Sequence, residues 1–313
     1  MTTTEDSPAE GLWRGLGLVS LAGIIWGTIG PGAQVVHDRS GLSSLTVTAY
    51  RAIAAVVVLS LSVVLSGRLA AARTAALEEW RRVGVVGVLT AAFQYLFFVA
   101  VAFTGVSIAT VVSLGFAPVL LLVLGSVQQR RPPRGGPAIT LAVAVLGLLF
   151  VAFAGGANHT ASHPVVGVLA ALGSGAAYAV SAEIASPLSR RLDTLTITAG
   201  IIGVTALVLI PTGLAVTGLR GDAFMTSDAI SWILIGYLGV FTLAIAYGLL
   251  FTGLRSTPSS AAVIATLLEP VTAVLIAVTL LGEHLTVGGM VGSLLIVAAI
   301  TSLGRASGRP TPQ

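Results

Sequence analysis

The sequence predicts an all-α integral membrane protein of ten transmembrane helices, arranged as two five-helix repeats of inverted topology around a central cavity. Composition, ten long apolar stretches and similarity between the two halves of the chain lead to this prediction. Of the 313 residues, 55% are hydrophobic and only 9% are charged, whereas soluble domains carry about 25% charged residues. The mean hydropathy is +0.99. Lipid must therefore cover much of the surface.

The basic and sulfur-containing residues exclude several classes of function. The chain has no cysteine, and all 16 of its basic residues are arginine. Disulfides, thiolate metal sites and cysteine nucleophiles are therefore excluded, and so is an ATP-binding P-loop, which requires lysine. The arginines lie at predicted helix ends without forming a continuous patch, which argues against a nucleic-acid partner. We expect neither a cofactor nor a metal site.

Ten mostly apolar stretches are separated by Arg, Pro and Gly, and each is long enough to cross a bilayer, because about 20 helical residues span the hydrocarbon core. These stretches lie near residues 14–36, 43–66, 81–103, 106–127, 136–154, 164–186, 194–217, 230–252, 258–280 and 286–304. Short connections such as Thr104–Gly105 make consecutive helices antiparallel.

The placement of arginine predicts the orientation in the membrane. If the N-terminus is inside, the outer loops hold only Arg39 and Arg220. The inner segments hold Arg14, Arg68, Arg73, Arg81, Arg82, Arg130, Arg131, Arg134, Arg190, Arg191, Arg255, Arg305 and Arg309. An excess of arginine on the cytoplasmic side is the rule for such proteins. The sequence therefore predicts a multi-pass protein of the inner (cytoplasmic) membrane with both termini in the cytoplasm.

The two halves of the chain resemble each other at a shift of about 150 residues. Leu45–Ala49 matches Leu195–Ala199, and Tyr95 and Pro118 match Tyr247 and Pro270. Because each half has an odd number of helices, the second half enters the membrane from the opposite side. Inverted repeats allow two halves to exchange inward-open and outward-open shapes around a midplane site.

This repeat divides the chain into five segments. The predicted segments are a cytoplasmic tail at 1–13, a first repeat at 14–154, an external linker at 155–163, a second repeat at 164–304 and a cytoplasmic tail at 305–313.

Several short motifs complete the pattern: Trp26-Gly27, Arg51-Ala52, Leu268-Glu269-Pro270-Val271 and Leu281-Gly282-Glu283. With the ten helices, they make the chain resemble an EamA-type member of the drug/metabolite transporter superfamily, over roughly residues 14–304. The resemblance implies a ten-helix basket with a central cavity, and export or exchange of amino acids, other metabolites or drugs. The first half departs from the repeat, since Ala117 replaces the acid before Pro118.

Glu269 is the sharpest candidate for a mechanistic role. It lies eleven residues after Pro258, or roughly 16 Å along a helix, which places it near the bilayer midplane. A charge there costs at least ~2.5 kcal/mol, so it should face the bundle interior or a wet cavity. Two interpretations remain open. Glu269 either exchanges protons or binds a cationic group, or it is a neutral or paired acid that stabilises the kink at Pro270.

Two further charged residues are candidates for coupling or gating. Arg51 lies inside the second predicted helix and could attract an anionic substrate group or pair with Glu269 or Glu183. The structural interpretation, which we favour, is an arginine that reaches toward the membrane surface or caps carbonyls. Glu183 lies near the cytoplasmic end of the sixth helix, where we favour a solvated helix end over a gate or an ion site.

Prolines and aromatic residues indicate where a substrate would bind. We expect kinks at Pro31, Pro118 and Pro270, because interrupted helices in corresponding halves often mark the binding site. Aromatic walls with few polar groups suit a small amphipathic solute, although aromatics are also ordinary filler in a membrane protein. The candidate cavity residues are Trp26, Gln94, Tyr95, Phe98, Tyr178, Tyr247 and Glu269.

The predicted function is secondary transport of a small organic solute by alternating access, as an exporter or exchanger, with proton coupling through Glu269 as a hypothesis. The expected partners are the substrate, the lipid bilayer and, under that hypothesis, protons. The alternatives are a channel, a sensor, an assembly subunit or an intramembrane enzyme. We expect no catalytic residue, since no predicted helix holds a histidine that could activate Ser174 as a nucleophile.

Overall fold

The computed structural model describes residues 8–130, 135–153, 164–280 and 286–307, and these form helices joined by short connections. The predicted linker at 155–163 lies outside the described residues, as do 1–7 and 308–313 of the predicted tails. Seven helices form the first half: α1 (Pro8–Trp26), α2 (Ile29–Ser40), α3 (Ser44–Leu65), α4 (Leu69–Glu78), α5 (Trp80–Thr104), α6 (Val106–Gln129) and α7 (Gly135–Phe153).

The second half repeats this order with more irregular backbone. It contains α8 (Pro164–Arg191), α9 (Thr194–Arg220), α10 (Ala229–Tyr237), a π-helical segment (Leu238–Ile245), α11 (Ala246–Gly253), α12 (Ser259–Ala265), α13 (Leu268–Leu280) and α14 (Val287–Ser307). The π segment joins α10 to α11 without a break, whereas two residues separate α12 from α13.

Ten membrane passes result from these helices. Nine stretches of the described residues are long and apolar enough to span a membrane, and the apolar part of α14, Val287–Leu303, is slightly shorter. The first pass consists of α1 and α2, the eighth of α10, the π segment and α11, and the ninth of α12 and α13. We call the face where α1 begins and α14 ends the termini face. The predicted connection between the second and third passes contains the additional, largely exposed helix α4.

Packing between the helices follows the internal repeat. The third pass packs along the sixth, and the first pass packs along the eighth, which is the equivalent pair after exchange of the halves. The fourth pass packs on the sixth as the ninth packs on the first, and the second and seventh passes pack on each other, as do the fifth and tenth. Two mixed units result: the 1–8–9 unit and the 3–4–6 unit, named by their passes.

Local sequence accounts for the ends and close contacts of these helices. Ser43 caps the start of α3 and Asp193 caps the start of α9 at matching repeat positions, and each side chain accepts the N–H of the residue three positions on, at 3.3 and 3.1 Å. Such caps contribute about 1 kcal/mol each.

Gly147 of α7 and Gly292 of α14 bring their helices into backbone contact. A Cβ on Gly147 would lie 2.8 Å from the carbonyl oxygen of Gly292, and a Cβ on Gly292 would lie 2.5 Å from that of Gly147. Small residues allow this backbone contact in lipid.

Candidate functional site

Two broken helices cross near the middle of the bundle. The first pass breaks after Trp26, and the ninth breaks at Thr266 and Leu267, just before Glu269. The passes touch at the breaks: a Cβ on Gly27 would lie 2.5 Å from the carbonyl oxygen of Glu269. Tight i→i−3 bonds close the breaks, from Thr28 N–H to the carbonyl oxygen of Ile25 and from Leu267 N–H to that of Ile264. The chain therefore changes course at both breaks without losing its local hydrogen bonds, at the depth where the sequence predicts a site.

The prolines relate to these breaks in different ways. Pro31 and Pro270 are each the third residue of the helix that follows a break. At that position a missing N–H costs no hydrogen bond, because first-turn N–H groups have no helical acceptor. The first break therefore precedes Pro31 and lies at Gly27–Thr28. Pro118 lies inside α6, which continues through it from Val106 to Gln129.

The π segment of the eighth pass lies against the same crossing. The Trp26 indole N–H donates to the carbonyl oxygen of Thr242 at 2.8 Å, so the first pass contacts the widened backbone directly. Gly239 of the same segment approaches α3 so closely that a Cβ would lie 2.5 Å from the carbonyl oxygen of Arg51. The π segment thus contacts both the first pass and the backbone of α3.

Arg51 is almost fully buried, with 4% of its surface exposed. Its Nη2 donates to Oε1 of Gln94 on α5, which is 7% exposed. Both side chains keep a buried donor without a partner in the part of the chain that the structure describes: Nε of Arg51 and Nε2 of Gln94. An unsatisfied buried donor is costly, and a charged one more so. The pair is therefore suited to receive an acceptor from a bound molecule.

Glu269 lies near this pair without touching it. Arg51 and Glu269 interact electrostatically, but no ion pair within 4.0 Å joins them in the described structure. Glu269 is partly accessible, whereas Pro270 beside it is buried. The carboxyl group thus lies within electrostatic reach of Arg51, which retains an unsatisfied donor.

Aromatic residues surround the charged groups. Trp26 packs edge-to-face on Tyr247, with ring centroids 5.1 Å apart, and Phe93 stacks on Tyr178 at 4.9 Å. The Tyr178 hydroxyl donates to Oγ1 of Thr266 at 3.1 Å, at the break in the ninth pass. Because Thr266 belongs to the 1–8–9 unit and Tyr178 to the 3–4–6 unit, this bond connects the two units.

The structure brings most, but not all, of the predicted cavity residues together. We call Trp26, Arg51, Gln94, Tyr178, Tyr247 and Glu269 the central group. Tyr95 is 36% exposed, and its position next to Gln94 turns it roughly 100° away around α5. Phe98 lies one turn beyond Gln94 on the same side of α5, is half-buried and packs edge-to-face on Phe97 at 6.4 Å.

Glu183 lies away from the central group, toward the termini face. Its Oε2 accepts a hydrogen bond from Ser259 Oγ at the start of α12. Nearby, Arg190 Nε donates to the carbonyl oxygen of Arg255 at 3.2 Å, and Arg255 Nη2 donates to the carbonyl oxygen of Leu192 at 2.5 Å. These bonds join the ends of the sixth, eighth and ninth passes, and so connect the two units at the termini face.

Sequence reasoning missed three parts of the site. Thr266 and the carbonyl oxygen of Thr242 take part as hydrogen-bond acceptors, and Gly239 allows the close approach of the π segment. The motif Leu268–Val271 could have indicated the break before it, but the π segment has no comparable signal.

No group of three or more His, Asp or Glu residues that could hold a metal ion occurs among the described residues.

Comparison with known proteins relates this arrangement to a family. The model of the EamA-like transporter family matches residues 13–153 and 165–305. An uncharacterized transporter of Bacillus subtilis (strain 168), YwfM, is 30% identical over 289 residues, which cover 90% of each chain. A solved crystal structure with 16% identity superposes with a TM-score of 0.75 over 94% of this chain and 99% of its own. The last similarity concerns the fold alone.

Proposed function

Since the chain belongs to the EamA-like transporter family, and is thus a membrane transporter, we propose that it moves a small organic solute by alternating access, as an exporter or exchanger in the cytoplasmic membrane. One observation carries the proposal: two buried donors, Arg51 Nε and Gln94 Nε2, have no partner in the described structure and lie near the Glu269 carboxyl. If no molecule bound there, the desolvation of these donors would destabilise the protein, and no hydrogen bond would compensate for it.

The proposed substrate carries a hydrogen-bond acceptor, such as a carboxylate or a carbonyl group, for Arg51 and Gln94. Trp26, Tyr178 and Tyr247 supply an aromatic wall for an apolar body. Glu269 faces the opposite end, where an amine or hydroxyl donor would complete the contacts. A few polar groups in an aromatic surround give orientation and specificity to a small amphipathic ligand.

Alternating access would rest on the two mixed units, which combine helices from the two oppositely inserted halves. At the termini face these units are connected by Glu183–Ser259, Arg190–Arg255 and Arg255–Leu192, and deeper by Tyr178–Thr266. We infer that opening toward the termini face separates the units and breaks these bonds. The equivalent movement at the other end of the repeat would close the opposite side.

Ligand-induced stabilisation of the purified protein tests substrate binding. A ligand that binds the folded state raises its thermal stability by mass action, so a metabolite library should contain compounds that raise the melting temperature of the wild type. The gain should vanish in Gln94→Leu and persist in Arg220→Gln, which alters an arginine at the end of α9 away from the central group. Compounds that stabilise Gln94→Leu as strongly as the wild type would bind elsewhere and contradict the proposed site.

Reconstitution into liposomes tests the transport cycle. Saturable uptake with competition between unlabelled and labelled substrate is expected, and non-saturable flux would indicate a channel instead. We propose that Glu269 carries the coupling proton, because it is an acid beside the break in the ninth pass and has no ion-pair partner in the described structure. Glu269→Gln should then abolish the dependence of transport on pH, whereas Glu78→Gln on the exposed helix α4 should preserve it. Unchanged pH dependence in Glu269→Gln would refute proton coupling through this residue.

A further inference from the structure

A cavity of about 560 Å³ opens at the termini face, where α3, α9 and the eighth pass meet. None of its lining residues belongs to the central group. Its lining is polar near the surface and largely apolar deeper, and consists of Leu59, Ser66, Arg68, Asp193, Thr194, Leu195, Thr198, Ala244, Gly248 and Arg255.

The depth of this cavity matches the outer part of a bilayer leaflet. Ser66 follows the last residue of α3, and Leu59 lies seven residues earlier, about 10 Å deeper along the helix axis. On the eighth pass, Ala244 lies nine residues before the end of α11 at Gly253, a similar depth. The cavity therefore extends from the headgroup region into the level of the acyl chains.

Positive charge predominates at the mouth. Arg68 forms an ion pair with Asp193 at 2.5 Å. Partial burial raises the pKa of Asp193, but the hydrogen bonds from Thr196 and Arg68 outweigh it, so the net pKa lies below its ordinary value and the carboxylate stays ionised at neutral pH. This carboxylate offsets one arginine only. Arg255 adds a second positive charge and uses one of its five N–H donors on the carbonyl oxygen of Leu192.

The internal repeat provides a control for what the fold itself requires. Thr194, Leu195 and Thr198 match Ser44, Leu45 and Thr48, so the polar and apolar lining of α9 recurs in the other half. The two arginines do not recur: at the same shifts, Arg68 matches Gly218 and Arg255 matches Phe103. The scaffold therefore folds without a cation at either position, and the positive mouth is specific to the termini face.

We propose that this cavity binds an anionic phospholipid, with the headgroup phosphate on Arg68 and Arg255 and the start of an acyl chain along Leu59 and Ala244. Arginine suits phosphate because its N–H donors match the phosphate oxygens. Basic pockets between transmembrane helices near the membrane surface commonly hold such headgroups. The apolar depth of the cavity favours a lipid over a free phosphate ester, which would have no group to place against Leu59.

Native mass spectrometry of the full-length protein in detergent tests the proposal, with phosphatidylglycerol, phosphatidylcholine and inorganic phosphate as probes. The wild type should retain phosphatidylglycerol about tenfold more than phosphatidylcholine, because two charged contacts discriminate between the headgroups. The double variant Arg68→Gln/Arg255→Gln should lose this preference, and Arg220→Gln at the other end of α9 should keep it. Equal retention in the double variant and the wild type would overturn the proposal.

A second variant separates lipid binding from loss of structure. A Cβ on Gly248 would approach only Thr194 and Thr198, at ordinary contact distances of 3.7 and 3.8 Å. Gly248→Ala should therefore retain phosphatidylglycerol, whereas Gly248→Leu should fill the apolar end and release it without any change of charge. Retention by Gly248→Leu would contradict insertion of an acyl chain. Competition by inorganic phosphate at concentrations that displace the lipid would indicate a site for free phosphate and would also overturn the proposal.

Discussion

The two halves of the molecule share a scaffold but differ where the chain crosses the middle of the bundle. In the first half, the fourth pass is a continuous helix through Pro118, and Ala117 precedes the proline. In the second half, the equivalent ninth pass breaks before Pro270, and Glu269 precedes it. The eighth pass contains a π segment, whereas its counterpart α5 is a regular helix. The first half contributes the break in the first pass, whose counterpart α8 is continuous. Irregular backbone thus occurs in the first, eighth and ninth passes, which together form the 1–8–9 unit.

The polar residues of the central group also differ from their repeat counterparts, although they come from both halves. At the shifts of the repeat, Arg51 matches Ile201, Gln94 matches Ala246, and Glu269 matches Ala117, and all three counterparts are fully buried. One copy of each position therefore retains an apolar residue that the fold accepts, while the other copy holds a polar group. Residues that both halves share are thus the ones that the helical bundle requires, whereas a polar residue present in one half only is not required for folding.

The largest effect is expected where the two broken passes touch. Gly27→Leu would force a side chain against the carbonyl oxygen of Glu269, which lies 2.5 Å from the Cβ position. Backbone cannot yield as a flexible side chain can, so the free energy of unfolding should fall by about 3 kcal/mol or more. Gly30→Ala is the matched control, since nothing lies within 4 Å of its Cβ position. Thermal unfolding in detergent measures both, and equal melting temperatures would refute the crossing.

A smaller loss is expected when one polar residue is replaced by its counterpart. Gln94→Ala introduces the residue that its repeat counterpart, Ala246, carries. It removes the hydrogen bond to Arg51 and leaves a buried guanidinium without an acceptor. We expect the free energy of unfolding to fall by about 1.5–3 kcal/mol. Arg51→Ile removes the charge itself, and should therefore be neutral or stabilising while it abolishes transport.

The sign of the Arg51→Ile effect is decisive for the comparison. If its melting temperature falls as far as that of Gln94→Ala, Arg51 is part of the structural frame, and the interpretation of these polar residues as additions is wrong. Transport at the wild-type rate in Arg51→Ile would exclude Arg51 from substrate binding. Both variants are measured in the same detergent, with Arg220→Gln as the control for loss of one positive charge.

Much of the frame was predictable because apolar stretches and repeats are local signals. The ten passes and the two repeats follow from length, polarity and order along the chain. The π segment was not predictable, since its composition has no distinct local signal and its contact with Trp26 joins residues 216 positions apart. The Arg51–Gln94 pair likewise depends on the rotation of two helices about their axes, which a one-residue change in register would alter.

The contact that holds the π segment should contribute about 1 kcal/mol. Trp26→Phe keeps the ring against Tyr247 but removes the N–H that donates to Thr242 at 2.8 Å. The loss should correspond to one neutral hydrogen bond. Hydrogen exchange should show faster exchange of the amides in the π segment, with those of α5 unchanged as an internal control. If the amides of both regions exchange as slowly in Trp26→Phe as in the wild type, the π segment persists without the hydrogen bond from the first pass.

The smallest effect concerns two ion pairs at matching places in the repeat. Arg39 at the end of α2 pairs with Asp228 before α10 at 2.8 Å, and Arg191 at the end of α8 pairs with Glu79 before α5 at 3.0 Å. The hydrogen bond from Arg39 and those from Ser231 lower the pKa of Asp228, with partial opposition from desolvation. The carboxylate therefore stabilises the fold above the ordinary pKa of aspartate, about 4, and this contribution is lost as pH falls through the lowered pKa.

Asp228→Asn should accordingly lower the melting temperature slightly at neutral pH, and the difference from the wild type should narrow in acid. The amide oxygen can still accept the N–H of Ser231, so the helix cap is retained and the variant isolates the ion pair. High salt should reduce the difference in the same way, because both partners are exposed enough to be screened. If the difference in melting temperature persists unchanged in acid and in salt, Asp228 acts through the helix cap alone. The Arg39–Asp228 pair would then not stabilise the 1–8–9 unit in the way that the Arg191–Glu79 pair stabilises the 3–4–6 unit.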